Sequence, residues 1–83
     1  MTDDRTVTVF TREDCHLCDD AIATIRRVSD DLDADVKLEL VDVDEDEELK
    51  AKYSDRVPYV FVDGTPAFKY RVDPFELRQR LTE

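Results

Sequence analysis

The chain has 83 residues, enough for one domain over residues 1–83 with a small core, since a polypeptide of this length buries about 60–65% of the surface it exposes when unfolded. Aspartate and glutamate number 22 against 12 lysines and arginines, for a formal net charge of −10, which repels phosphate backbones and excludes nucleic acid as a partner. Hydrophobic residues make up 41% of the chain and fall in periodic blocks, which excludes a disordered acidic tail, and no block approaches the roughly 20 apolar residues of a membrane span.

The acid is mostly aspartate and the base mostly arginine. Such a surface suits a high-salt cytoplasm, where ions screen self-repulsion, and points to a halophile. The start, Met1-Thr2-Asp3-Asp4-Arg5, carries acid and no apolar run, so it does not read as a signal peptide. A cytoplasmic location in a reducing compartment is expected, where paired cysteines serve catalysis or metal binding more often than stapling.

Thr6-Val7-Thr8-Val9-Phe10 is β-branched and aromatic and reads as a strand. A polar loop from Thr11 to Asp14 follows, with Asp14 placed to cap a helix. Cys18, Ala21, Ile22, Ile25, Val28 and Leu32 then recur at helical spacing. That helix is expected to begin at or near Cys15 and to end around Ser29 to Asp33. Val36 to Val43 reads as a second strand. The acid of Asp44 to Glu48 complements the N-terminus of a short second helix, with Leu49 and Tyr53 facing inward. Ser54-Asp55-Arg56 ends it. Val57 to Val62 is a third strand with Pro58 at its entrance, and Asp63-Gly64 supplies the left-handed residues of a tight turn. Ala67 to Tyr70 is a fourth strand, and Pro66 assigns it to a sheet edge. Asp73-Pro74-Phe75-Glu76 opens a last helix, which carries Leu77 and Leu81. The order β-α-β-α-β-β-α gives an α/β fold. One parallel crossover and one hairpin form a four-stranded mixed sheet, with helices on both faces.

The chain has only two cysteines, and they form Cys15-His16-Leu17-Cys18 where the first strand passes into the first helix. A bridge between them closes too small a loop to restrict the unfolded chain, so the pair reads as reactive rather than structural. Backbone N–H groups and the helix dipole favour a thiolate at Cys15. Cys18, one turn further along, is placed to attack a mixed disulfide formed there. Cys15 is therefore the expected nucleophile and Cys18 the resolving thiol. Arg12 and His16 are the cations placed to favour the thiolate and meet a substrate, while Glu13, Asp14, Asp19 and Asp20 oppose it. Zinc requires four ligands and His16 is the sole histidine, so no metal is expected. Asp19 occupies the position where covalent haem requires histidine. The acidic run from Asp44 lacks the spacing of a calcium loop. No cofactor is expected.

The chain resembles the glutaredoxin-like proteins of the thioredoxin superfamily, and within them the small members with a C-H-L-C site. The resemblance rests on Phe10-Thr11-Arg12 leading to Cys15-His16-Leu17-Cys18-Asp19, on Val41-Asp42-Val43-Asp44, on Arg56-Val57-Pro58 and on Asp63-Gly64. It implies a thioredoxin fold with strand order 2-1-3-4 flanked by three helices, and a cis Val57–Pro58 bond beside the cysteines. It also implies a substrate-binding role for Val57 and Pro58, with the Val57 backbone offered to an extended thiol substrate. Better-known glutaredoxins have a proline between the cysteines and a Gly-Gly pair before the last helix. This chain has neither; Tyr70-Arg71-Val72-Asp73 stands in the second place. A protein disulfide or another small thiol therefore competes with glutathione as substrate. The expected activity is thiol–disulfide exchange by a monomer, with a separate electron donor for recycling. The competing class is a non-catalytic adaptor or redox-sensing module on the same fold.

Overall fold

The computed structural model describes residues 5–32 and 36–82. The first strand, β1 (Arg5–Thr11), alternates as its sequence requires: Val7 and Val9 are fully buried, while Thr6 and Thr8 point to the opposite face and are half-buried. α1 (His16–Leu32) buries Cys18, Ala21, Ile25 and Val28 along one stripe. Its expected end extends to Asp33, which, like residues 1–4, lies outside the described residues.

β2 (Val36–Asp42) runs parallel to β1, from Val36 beside Arg5 to Asp42 beside Thr11. It stops one residue before the expected end at Val43. The Asp42 carboxylate accepts the Asp44 N–H at 2.9 Å and bends Val43–Glu45 into a 3₁₀ turn. Val43 is thereby turned into the interior. α2 (Glu47–Tyr53) is capped by Asp46, whose Oδ1 accepts the N–H groups of Glu48 at 2.9 Å and Leu49 at 3.4 Å.

β3 (Tyr59–Val62) and β4 (Thr65–Lys69) form an antiparallel hairpin. β3 starts at Tyr59 rather than Val57, because Pro58 has no N–H for the ladder. Its turn residues Asp63 and Gly64 both take left-handed backbone, at φ of 51° and 82°, as the tight turn demands. Asp63 also fastens the hairpin to β1. Its N–H donates to the Thr6 carbonyl at 2.8 Å, and its carboxylate accepts the Thr6 N–H and an Arg5 guanidinium N–H, each at 2.9 Å. The Thr6 N–H and then Arg5 hold this carboxyl below its ordinary pKa. β4 begins earlier than expected and ends at Lys69, because Tyr70 leaves extended backbone at a φ of 71°. Val60 lies opposite Phe68 but Phe61 lies opposite Pro66, so Ala67 is an extra, bulged residue on this edge strand. α3 (Pro74–Thr82) starts from Asp73, whose Oδ1 accepts the Phe75 and Glu76 N–H groups.

The sheet order is β2-β1-β3-β4, with β1 parallel to β2 and antiparallel to β3. On one face, Ile25 and Val28 of α1 and Leu77 and Leu81 of α3 close over Val7, Val9, Val60, Val62 and Phe68. Each such aliphatic side chain contributes about 1.5–3 kcal/mol on burial. The other face carries rings: Phe10 stacks on Tyr53 of α2 at 4.6 Å between centroids, and Tyr59 and Phe61 complete the cluster. Among the described residues no helix is long and apolar enough to cross a membrane.

Candidate active site

β1 ends at Thr11, and after four intervening residues the chain enters α1 at His16. Asp14, expected to cap this helix, does not. It sits in left-handed backbone at a φ of 55°, a region aspartate tolerates. Cys15 is the cap instead. Its carbonyl accepts the first helical bond from the Asp19 N–H at 3.1 Å, and its Sγ accepts the Cys18 N–H at 3.2 Å. The sulfur thus stands where an oxygen side chain ordinarily satisfies an open N–H of the first turn.

Both cysteines are free thiols. Cys15 is half-buried, while Cys18 is 1% exposed and packs with Val43 and Val57. Burial pushes the Cys18 thiol above its ordinary pKa, and the adjacent Cys15 sulfur adds to the shift. The Thr11 side chain and the Arg12 backbone oppose it. Cys15, Phe10, Leu49 and Tyr53 pack around the same small cluster, so α2 supports the site from the far side of the sheet.

Val57 is 9% exposed against Cys18, and the Val57–Pro58 peptide bond is cis. Pro58 is fully buried. The structure therefore brings Cys15, Cys18 and Val57 together, with Pro58 next to Val57 in the chain. The two basic side chains are placed differently. His16 is exposed at the first position of α1, without a polar partner among the described residues. Arg12 is engaged: its Nε donates to Asp44 Oδ2 at 3.3 Å, and its Nη1 donates to the Ser54 carbonyl at 3.4 Å. It ties the loop before Cys15 to the 3₁₀ turn and to the end of α2. Among the described residues no three metal-type ligands converge.

Sequence reasoning missed two residues beside this site. Leu17 is 45% exposed on the first turn of α1, and Tyr70 is 42% exposed on the segment after β4. The Tyr70 N–H donates to the Pro58 carbonyl at 2.8 Å, and its hydroxyl donates to the Asp55 carbonyl at 3.1 Å. No local pattern announces either. Leu17 falls within the motif, and a tyrosine at positive φ has no sequence signature.

The architecture is shared. A protein of known structure from X. campestris is 28% identical over 92% of this chain and 95% of its own, with a TM-score of 0.74. Protein Ne2328 from Nitrosomonas europaea is 31% identical over 92% of this chain and 89% of its own, with a TM-score of 0.75. The thioredoxin of Fasciola hepatica is 25% identical over 98% of this chain and 81% of its own, with a TM-score of 0.63. None of the curated proteins matches the chain. The fold is thioredoxin-like, with a mixed sheet of order 2-1-3-4 and three helices. A family model for the glutaredoxin-like domain (DUF836) matches residues 6–82, and the chain belongs to that family, within the thioredoxin superfamily.

Proposed function

We propose that this protein is a dithiol–disulfide oxidoreductase that acts through a mixed disulfide on Cys15. One observation carries the reading: the half-buried Cys15 sulfur caps α1, receiving the Cys18 N–H, while Cys18 is buried beside it. The similarity to a thioredoxin supports the same class of chemistry.

In the first step the Cys15 thiolate attacks one sulfur of a substrate disulfide. A bond forms between Cys15 and that sulfur, the substrate S–S bond breaks, and the departing thiolate takes a proton from solvent. In the second step Cys18, as thiolate, attacks Cys15 Sγ. The Cys15–Cys18 bond forms and the remaining substrate sulfur leaves as a thiol. Two electrons have then passed to the substrate, and an external thiol or dithiol donor restores them. The placement of Cys18 orders these steps. Burial and the neighbouring sulfur keep it protonated while Cys15 is free. Once Cys15 is tied up in a mixed disulfide its charge is gone, that part of the restraint lapses, and Cys18 ionises more readily. The Val57 backbone offers hydrogen bonds to an extended substrate beside Pro58. His16 is the basic side chain open to that substrate, and Arg12 holds the loop.

The test uses dithiothreitol as donor and insulin as the disulfide substrate. Wild-type protein is expected to turn over, Cys15→Ser to fall to background, and Cys18→Ser to accumulate a mixed disulfide visible by mass. Wild-type inactivity towards every disulfide offered would instead assign the chain to the adaptor or redox-sensing class.

A further inference from the structure

The sheet has two edges, β2 and β4, and they are finished differently. On β4, Pro66 lacks a ladder N–H and Ala67 is bulged, and both devices blunt an edge against further pairing. β2 has neither. Its seven residues contain no proline and hold one unbroken register with β1, from Val36 to Asp42. Among the described residues no strand lies beyond it, so alternate backbone N–H and C=O groups face outward along its length.

The side chains of this edge are two-faced. Val36 and Leu38 pack against the main core on the α1 side, and Leu40 shares their face but is 47% exposed. Together with Arg26, Ser29 and Asp30 they line a cleft of about 320 Å³. Lys37 and Glu39 occupy the opposite face, 3.3 Å apart, with side chains 73% and 45% exposed. The run Val36-Lys37-Leu38-Glu39-Leu40 is complementary to itself when reversed. With two copies antiparallel and a two-fold axis through Leu38, Val36 lies opposite the partner's Leu40, Lys37 opposite the partner's Glu39, and Leu38 opposite itself. Moving the axis by one residue either way sets Lys37 or Glu39 against its own copy, a like-charge pair that opposes association. Charge therefore selects one register.

We propose that β2 is a dimerisation edge, at which a second copy of this chain pairs antiparallel along Val36–Leu40 and extends the sheet across a two-fold axis. The interface is isologous, and the blunted β4 edges stop the assembly at two copies. This pairing asks nothing of the cysteines and stands apart from the redox chemistry. Each copy carries a net charge of −10, so at low salt long-range repulsion opposes the encounter. At 1 M salt the screening length falls to about 3 Å, and only contacts across the edge remain. The monomer expected from the sequence is then the low-salt form. Five residues from each copy make a small interface, so the association is weak and depends on protein concentration.

Sedimentation of the protein, kept reduced so that no intermolecular disulfide contributes, tests the pairing. The dimer Kd of wild type is expected to fall by about 10-fold between about 0.1 M and 1 M sodium chloride. Lys37→Glu and Glu39→Lys each set like charges opposite one another twice across the axis, and each variant alone is expected to associate about 10-fold more weakly than wild type. An equimolar mixture of the two variants restores unlike charges at both places and is expected to dimerise again. The pair within each strand stays like-charged in that mixture, so recovery reports the interface alone. Both side chains are exposed, and thermal melts verify that the variants are folded. A wild type that stays monomeric at 1 M salt and millimolar protein overturns the proposal. So does undiminished association of either variant alone, or a mixture that stays monomeric.

Discussion

Helices are usually capped by the oxygens of serine, threonine, aspartate or asparagine, and here a thiol takes that place although an aspartate precedes it. Sequence reasoning favours Asp14, since it has the better capping side chain. The left-handed turn at Asp14 moves the cap one position on and sets Cys15 Sγ 3.2 Å from the Cys18 N–H. Cys18 has the opposite environment, and its raised pKa has a consequence for stability. In the unfolded chain this thiol ionises from about pH 8.5, while in the folded protein it holds its proton to higher pH. Its contribution is therefore complete below the unfolded value and is lost as pH rises through the folded one. Thermal melts of the dithiol form from pH 7 to pH 10 are expected to fall more steeply for wild type than for Cys18→Ala. Parallel curves would show that burial does not perturb this thiol.

At the scale of elements, α2 is a helix of seven residues with no fully buried side chain, too short to persist without help. It persists because Asp46 caps it and because Leu49 and Tyr53 dock on the cluster around Cys18. Asp46→Ala is expected to cost about 1 kcal/mol, read as a lowered denaturant midpoint with an unchanged slope. An unchanged midpoint would mean that docking alone holds α2. The order and type of every strand and α-helix were legible in the sequence, because each carries its own period or turn chemistry: alternation in β1, the Cys18-to-Leu32 stripe in α1, Asp63-Gly64 in the hairpin; the 3₁₀ turn at Val43–Glu45 was not. The edges were less legible, since they are decided by single contacts. Asp42 ends β2 early, Pro58 delays β3, and Tyr70 ends β4. At the site, the cysteine pair and its place in the chain were legible. The engagement of Arg12 with Asp44 and Ser54, and the clasp of Tyr70 on Asp55 and Pro58, were not, because they join residues 12 to 42 positions apart in sequence and exist only once the sheet has formed.

Over the whole molecule, charge is the dominant unbalanced term. Four ion pairs occur among the described residues, Arg5–Asp63, Arg12–Asp44, Lys37–Glu39 and Arg78–Asp31, all of them partly exposed and each worth about 0–1 kcal/mol. They leave most of the 22 acids unneutralised. The radius of gyration is 12.4 Å, so at 0.01 M salt, where the screening length is about 30 Å, acids on opposite sides of the molecule repel one another. At 1 M that length is about 3 Å; only near neighbours interact, and what is lost from the ion pairs is smaller than the repulsion removed. The melting temperature is therefore expected to rise with sodium chloride over this range, and a flat profile would remove the argument for a high-salt habitat. The atom that caps α1 also joins chemistry to architecture. In the proposed cycle the sulfur that accepts the Cys18 N–H is also the sulfur that bonds the substrate, so the reaction takes place on the cap of the helix. That same helix sends Ile25 and Val28 into the main hydrophobic layer, so the reactive pair and the protein's interior are anchored by one element.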